Sequence, residues 1–168
     1  MIILCFILFI SCTTIDEDRS AETVRMFDEN KITNPKIIIN RSGNRIVEAQ
    51  SDILIKNSNK EAHLYGNVIS DFFNDGGVHV SKLYADSATI QQNTNNLNAF
   101  GNVEVVSDSG YKLFSNSIIW DNQYQLILSK DSVMFTSNNQ DTMYGIGFES
   151  DMDLTRAKVL KPYGIGGK

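Results

Sequence analysis

Cysteine is nearly missing from this 168-residue chain. Cys5 and Cys12 are the only two, and both lie at its very start. From Thr13 onward no side chain can give a thiolate to a metal or close a disulfide within the chain. Histidine is as scarce. His63 and His79 stand apart, each in an extended pattern, and read as surface or edge residues with no metal or catalytic partner. The two prolines, Pro35 and Pro162, fall near the ends of the patterned region, where a missing backbone donor does least harm. No glycine-rich loop follows a strand and opens a helix, so there is no nucleotide fingerprint. Asp151-Met152-Asp153 lacks the remaining positions of a calcium loop. Acidic residues outnumber basic ones by 20 to 15, with no basic patch, which argues against nucleic acid. No nucleophile, base and oxyanion donor come together, and no long apolar stripe has the 3.6-residue period of a helix. What is left is a binding or structural module without a cofactor, and not an enzyme.

What is present begins with an apolar run from Ile2 to Ile10. It is short of the roughly 20 apolar residues that span a bilayer and fits the apolar region of a signal peptide. It ends at Phe9-Ile10-Ser11-Cys12, which resembles a bacterial lipoprotein cleavage box. Ser11 and Cys12 fit that box. Phe9 stands where leucine is usual, and no basic residue precedes the run. The competing reading is a buried N-terminal strand with an ordinary thiol. On the lipoprotein reading, residues 1–11 are the signal peptide, Cys12 is the lipid attachment site and residues 12–33 form a polar tether. A short amphipathic helix around residues 21–29 is the alternative for part of that tether. Residues 34–168 are the size of one domain.

That domain reads as all-β. Residues 99–107 alternate, with Val103 and Val105 on one face and Asn102, Glu104 and Val106 on the other. Ser107-Asp108-Ser109-Gly110 then turns into a second extended run from Lys112. Similar turns stand at residues 41–44, 57–60, 74–77 and 93–96, which predicts many short antiparallel strands. Gly110-Tyr111 and Tyr163-Gly164 also read as turns. The hairpin unit recurs. Ala49, Ala85 and Ser115 form one column, Val47, Leu83 and Leu113 another two residues earlier, and Leu54, Ile90 and Trp120 a third five residues later. Val68, Val103 and Val133 close the three units, preceded six residues earlier by Ala62, Leu97 and Ile127. Tyr65-Gly66-Asn67-Val68 and Phe100-Gly101-Asn102-Val103 share a tag; the third copy, Lys130-Asp131-Ser132-Val133, is looser. Three units of about thirty residues imply one module stacked on itself.

Several of these stretches together resemble the LptC/OstA-type periplasmic proteins of lipopolysaccharide export, and the LptC family among them. They are residues 81–86, 99–105, 110–113 with Trp120-Asp121, Asp131-Ser132-Val133, and Gly145-Ile146-Gly147-Phe148-Glu149-Ser150-Asp151 with Leu154. The resemblance runs from about residue 40 to 166. It departs from the pattern at the N-terminus, where a lipid replaces the family's frequent membrane helix, and at Ile90, where an aromatic is common. It implies an open, twisted β-jellyroll whose apolar interior holds lipid A acyl chains. It implies partners as well: the inner-membrane LptB/LptF/LptG transporter, which hands over lipopolysaccharide, and an LptA-type bridge, which receives it. The implied site is on the periplasmic side of the inner membrane of a Gram-negative bacterium, although Thr13 does not follow the retention rule of enteric lipoproteins.

On that reading Val47, Leu83, Leu113, Val68, Val103, Val105, Val133 and Phe135 line the groove. Gly145, Ile146, Gly147 and Phe148 form the edge that meets LptA, the glycines letting its backbone approach, and Pro162 ends the pairing ahead of a loose glycine-rich tail. Ile37, Ile38 and Ile39 form the edge that meets the transporter. Two alternatives stay open. One is a soluble-bridge LptA-like or OstA-like protein. The other is a β-sandwich surface lipoprotein that binds carbohydrate or protein, which exposed aromatic platforms would favour.

Overall fold

Alternating apolar and polar side chains, punctuated by Asn, Asp, Gly and Ser, fold into eleven strands among the described residues. A computed structural model describes residues 30–56 and 61–166. The strands are β1 (Asn30–Thr33), β2 (Lys36–Arg41), β3 (Asn44–Gln50), β4 (Ile53–Lys56), β5 (Glu61–Phe73), β6 (His79–Gln91), β7 (Leu97–Ser107), β8 (Lys112–Asp121), β9 (Leu126–Thr136), β10 (Thr142–Asp151) and β11 (Lys158–Gly166). All neighbours pair antiparallel in one open sheet of order β1-β4-β5-β6-β7-β8-β9-β10-β11. The sheet forks at β5: its first half pairs β4, and its second half pairs β3, which carries β2 outside it.

The strands are longer than the sequence pattern suggests, because what reads as a boundary is a bulge. Every pairing from β5–β6 to β9–β10 slips register near its middle. The slips fall between Tyr65 and Val68, Tyr84 and Ser87, Phe100 and Val103, Ser115 and Ile119, and Ile146 and Phe148. Ser51-Asp52, between β3 and β4, and Asn34-Pro35, between β1 and β2, interrupt the chain at the same level. A bulge bends its strand. A line of bulges across a sheet folds it into two facing layers, an open jellyroll with a bend line on one side and a mouth on the other. The shared Gly-Asn tags lie on the bend line. Gly66 and Asn67 have φ of 72° and 45°, Gly101 and Asn102 of 76° and 46°. Asn67 Nδ2 donates to Asp52 Oδ2 at 2.8 Å, and Asn102 Nδ2 to Asp86 Oδ2 at 2.8 Å. In the third unit the carboxylate changes strand, and Ser117 Oγ donates to Asp131 Oδ2 at 2.6 Å.

The three repeated units are successive hairpins: β3/β4 with β5, β6 with β7, and β8 with β9. The second and third units align as the columns predict, and so does β5 of the first, whose Ala62 and Val68 pair Ile90 and Ala85, while its β3/β4 half is displaced. Ala49 pairs Ser70, which pairs Leu83, so Ala49 shares a row with Leu83 and not with Ala85. Val47 pairs Phe72, which pairs Ser81, one row beyond Leu83 and Leu113. Leu54 pairs Leu64 and then Ala88, short of the row of Ile90 and Trp120. The cause is the break at Ser51-Asp52, where the first unit turns the bend with a strand interruption and the others with a continuous bulged strand.

The C-terminus differs more. β11 runs through Pro162, which lies opposite Gly145, and Tyr163-Gly164 is strand and not turn. A proline is tolerated there because β11 has a neighbour on one side only, and a register slip beside Gly145 already interrupts the ladder.

Candidate functional site

The eight expected lining residues come together in one interior. Val68 pairs Ala85, and Val103 pairs Ser115, which pairs Val133, along the bend. One step inward a row runs Leu83, Val105, Leu113, Phe135. Val47 follows, opposite Phe72. Leu83, Val105, Leu113 and Val47 are 0% exposed, Val68 and Val103 1%, and Val133 3%. Phe135 is partly buried between Tyr111 and Phe148, with ring centroids 5.9 and 5.4 Å away. The facing layer presents Leu64, Ala88, Ala99 and Ile118 in one row, and Ile90, Leu97, Trp120 and Ile127 in the next. These apolar rows fill the space between the layers.

Apart from Ser115, which stands in a repeat column, sequence reasoning missed the serines of this interior. Ser70, Ser81, Ser107, Ser115, Ser129 and Ser150 are buried. The signal of the others is that they occupy inward positions of alternating strands. Ser115 and Ser129 bond each other at 2.9 Å, and Ser81 Oγ donates to the Met152 carbonyl at 2.5 Å across the layers. Ser107 Oγ accepts from the Tyr111 N–H at 3.1 Å. Trp120 is fully buried against Phe72, so it is no exposed aromatic platform for a sugar.

The mouth is laced at its rim. Arg41 Nη2 donates to Asn122 Oδ1 at 3.0 Å and also to the Asn122 carbonyl, tying the β2–β3 turn to the β8–β9 turn. Beside this lies a cavity of about 580 Å³, bounded by Asn74, Asp75 and Val80 on one layer and by Leu126, Glu149, Met152 and Arg156 on the other. There burial pushes the Asp151 carboxyl up. The Arg156 guanidinium, 2.7 Å away, outweighs it, with Asp153 and Thr155 assisting, and the carboxyl stays well below its ordinary range. Asp151 is thus committed to an internal network. Among the described residues no group of His, Cys, Asp and Glu is arranged to hold a metal ion.

On the outer faces, His79 bridges Asp71 at 3.1 Å and Asp108 at 2.8 Å, and Lys82 joins Asp71 at 3.1 Å. That hydrogen bond and the Asp71 charge raise the Lys82 amine. His63 lies 3.2 Å from the Thr89 hydroxyl. Glu48, buried on β3, takes Lys36 at 2.6 Å and Arg45; the Lys36 bond leads in holding its carboxyl below the ordinary range against the effect of burial.

The sheet is open at both ends. At one end, among the described residues, β2 pairs only β3, with Ile37 half-buried, Ile38 exposed and Ile39 buried. The shorter β1 closes the other branch of the fork. At the far end the edge is β11, where Leu160 and Tyr163 are exposed. The expected edge at Gly145, Ile146, Gly147 and Phe148 is therefore corrected. These residues lie in β10, between β9 and β11. Their glycines admit this chain's own last strand. A Cβ on Gly145 would press into Val159 and come within 2.8 Å of the Lys161 carbonyl oxygen, and one on Gly147 would meet Leu160 at 3.0 Å. Cys12 and most of the expected tether lie outside the described residues, although β1 already occupies the tether's last positions.

The family model described as OstA-like protein matches residues 36–167, from the start of β2 past the end of β11. No curated protein matches the chain.

Proposed function

Since the chain belongs to the OstA-like family, a transport and binding family and not an enzymatic one, we propose that it carries lipopolysaccharide through the periplasm, with lipid A acyl chains held between its two layers. The observation that carries this reading is the pairing of two apolar layers within one sheet that, among the described residues, is unpaired at both ends. Each acyl CH₂ moved from water into such a lining gains about 0.8 kcal/mol. A carrier also needs a way on and a way off. Unpaired edges supply it, because their free backbone groups accept a strand of another sheet and so join one interior to the next.

Within that function the finer proposal is an LptC-type role. Cys12 anchors the chain by a lipid at the inner membrane, the β2 edge with Ile37, Ile38 and Ile39 meets the LptB/LptF/LptG transporter, and the β11 edge meets LptA. The apolar run before Cys12 favours this anchored form. An open edge at each end suits a soluble LptA-like bridge equally well. Cys12→Ala separates the two: an anchored protein moves from the membrane to the soluble fraction, while a bridge does not change its fraction.

The cargo is tested by placing a photocrosslinking side chain at Leu83, Leu113 or Phe135, with Lys112 on the outer face as control. Lipopolysaccharide attached to the inner positions and not to Lys112 is the expected result. Labelling that is absent from all inner positions of a folded protein overturns the assignment.

A further inference from the structure

Two fully buried side chains of the interior have no hydrogen-bond partner among the described residues: the Ser70 hydroxyl and the Trp120 indole N–H. Native interiors seldom leave such groups unanswered. Here the neighbouring serines show the rule at work, since Ser81, Ser107, Ser115, Ser129 and Ser150 all have partners. Both exceptions are linked to Phe72. Ser70 stands on β5 two residues before Phe72 and on the same face, and the Phe72 ring lies 5.7 Å from the Trp120 ring of β8, in the facing layer. The Phe72–Trp120 contact therefore joins the layer that carries the unanswered Ser70 hydroxyl to the layer that carries the unanswered indole N–H.

The chemistry of the pair selects a ligand. An indole N–H only donates, and a hydroxyl donates or accepts. A plain alkyl chain between the layers would leave both as they are. A chain that bears an oxygen would answer the N–H as an acceptor and the hydroxyl in either sense. We propose that the interior around Phe72 binds acyl chains through an oxygen carried on the chain, a hydroxyl or an ester oxygen, received by Ser70 Oγ and Trp120 Nε1. The proposal rests on the reading of the interior as a lipid carrier and adds to it a selection among acyl chains. Its position suits such a role. Ser70 pairs Ala49 of β3, one strand in from the open β2 edge, so acyl chains arriving from that edge reach this pair early.

The test is calorimetric titration of the full chain with tetradecanoic acid and with its 2-hydroxy and 3-hydroxy forms. At least one hydroxylated acid is expected to bind about tenfold more tightly than the plain acid, the worth of roughly one hydrogen bond. Ser70→Ala and Trp120→Phe are expected to remove that preference, and a cooperative thermal melt shows that both variants are folded. Trp120 is the single tryptophan, so its emission reports from the site itself. It should move to longer wavelength with the hydroxylated acid only. In the empty protein, Ser70→Ala should hold or raise the melting temperature, because it removes a polar group that has no partner. Equal binding of plain and hydroxylated acids by the wild type overturns the proposal and leaves the carrier reading standing. A lowered melting temperature for Ser70→Ala also overturns it, because the hydroxyl then has a structural partner, such as a buried water. Failure of every acid to bind overturns both.

Discussion

Gly101 is confined twice over. Its φ of 76° lies where a side chain is strained, and a Cβ there would run into the Asp86 carboxylate. Gly43 separates the two effects, since its φ is 87° with nothing within 4 Å of the Cβ position. Gly43→Ala should cost about 1 kcal/mol, from backbone conformation alone, and Gly101→Ala more, about 2–3 kcal/mol. Adding Asp86→Ala to Gly101→Ala should recover only the steric part. Urea unfolding of the three variants checks the order, and equal losses at Gly43 and Gly101 would remove the steric role of Asp86. Glu48 sets a pH dependence at the same scale. Its folded carboxyl lies below the ordinary value of 4.5, so below pH 4.5 the unfolded chain binds the proton first. Its contribution is whole above pH 4.5 and fades as the pH falls through the folded value. Asp151, lowered from 3.8, acts in the same sense further down. Urea midpoints measured from pH 6 downward should fall less steeply for Glu48→Gln than for the wild type.

Among the strands, β11 carries the prediction that separates an edge from an interior ladder. β10 already has two neighbours, β9 and β11, so its backbone is committed. β11 has one, and it presents Leu160 and Tyr163 to solvent. Photocrosslinkers at Leu160 and Tyr163 should capture a partner jellyroll in cells, and one at Ile38 should capture a different partner at the other end. The same group at Ile119, in the middle of the sheet, should capture neither. Equal capture from Ile119 would mean that association uses the faces and not the edges.

At the scale of the whole molecule the issue is how a filled interior admits a lipid. The bend line is continuous backbone, so the layers part more readily at the mouth. Arg41 and Asn122 join the layers there through side chains at a partly buried rim. Arg41→Ala removes both bonds at a cost of about 1–2 kcal/mol in stability. The expected result is faster uptake and release of an acyl probe, with its equilibrium affinity little changed. Stopped-flow exchange measures this, and unchanged rates would place the opening elsewhere. Val105→Glu acts at the same scale in the opposite sense. It puts an unpaired charge among fully buried neighbours and should unfold the domain or block loading, whereas Glu104→Gln on the outer face should do neither.

The strands, the inward faces and the repeat of three hairpins follow from the sequence alone, because alternation with a period of two decides which side chains share a face; the turn expected at residues 57–60 lies outside the described residues. The buried state of Val103, Val105, Leu83 and Leu113 was legible for that reason. The bend was not. Gly-Asn resembles a turn in sequence, and only pairing on both sides holds it within one strand as a bulge. The displacement of β3 and β4 in the first unit is likewise a matter of register, which depends on the partner strand. The C-terminal edge was misplaced because Pro162 and the glycines after it have weak local strand preference, and their pairing with β10 outweighs it. Ser70 and Trp120 have no motif in common. What unites them is that two layers meet at Phe72, and only the folding of one sheet upon itself brings that about.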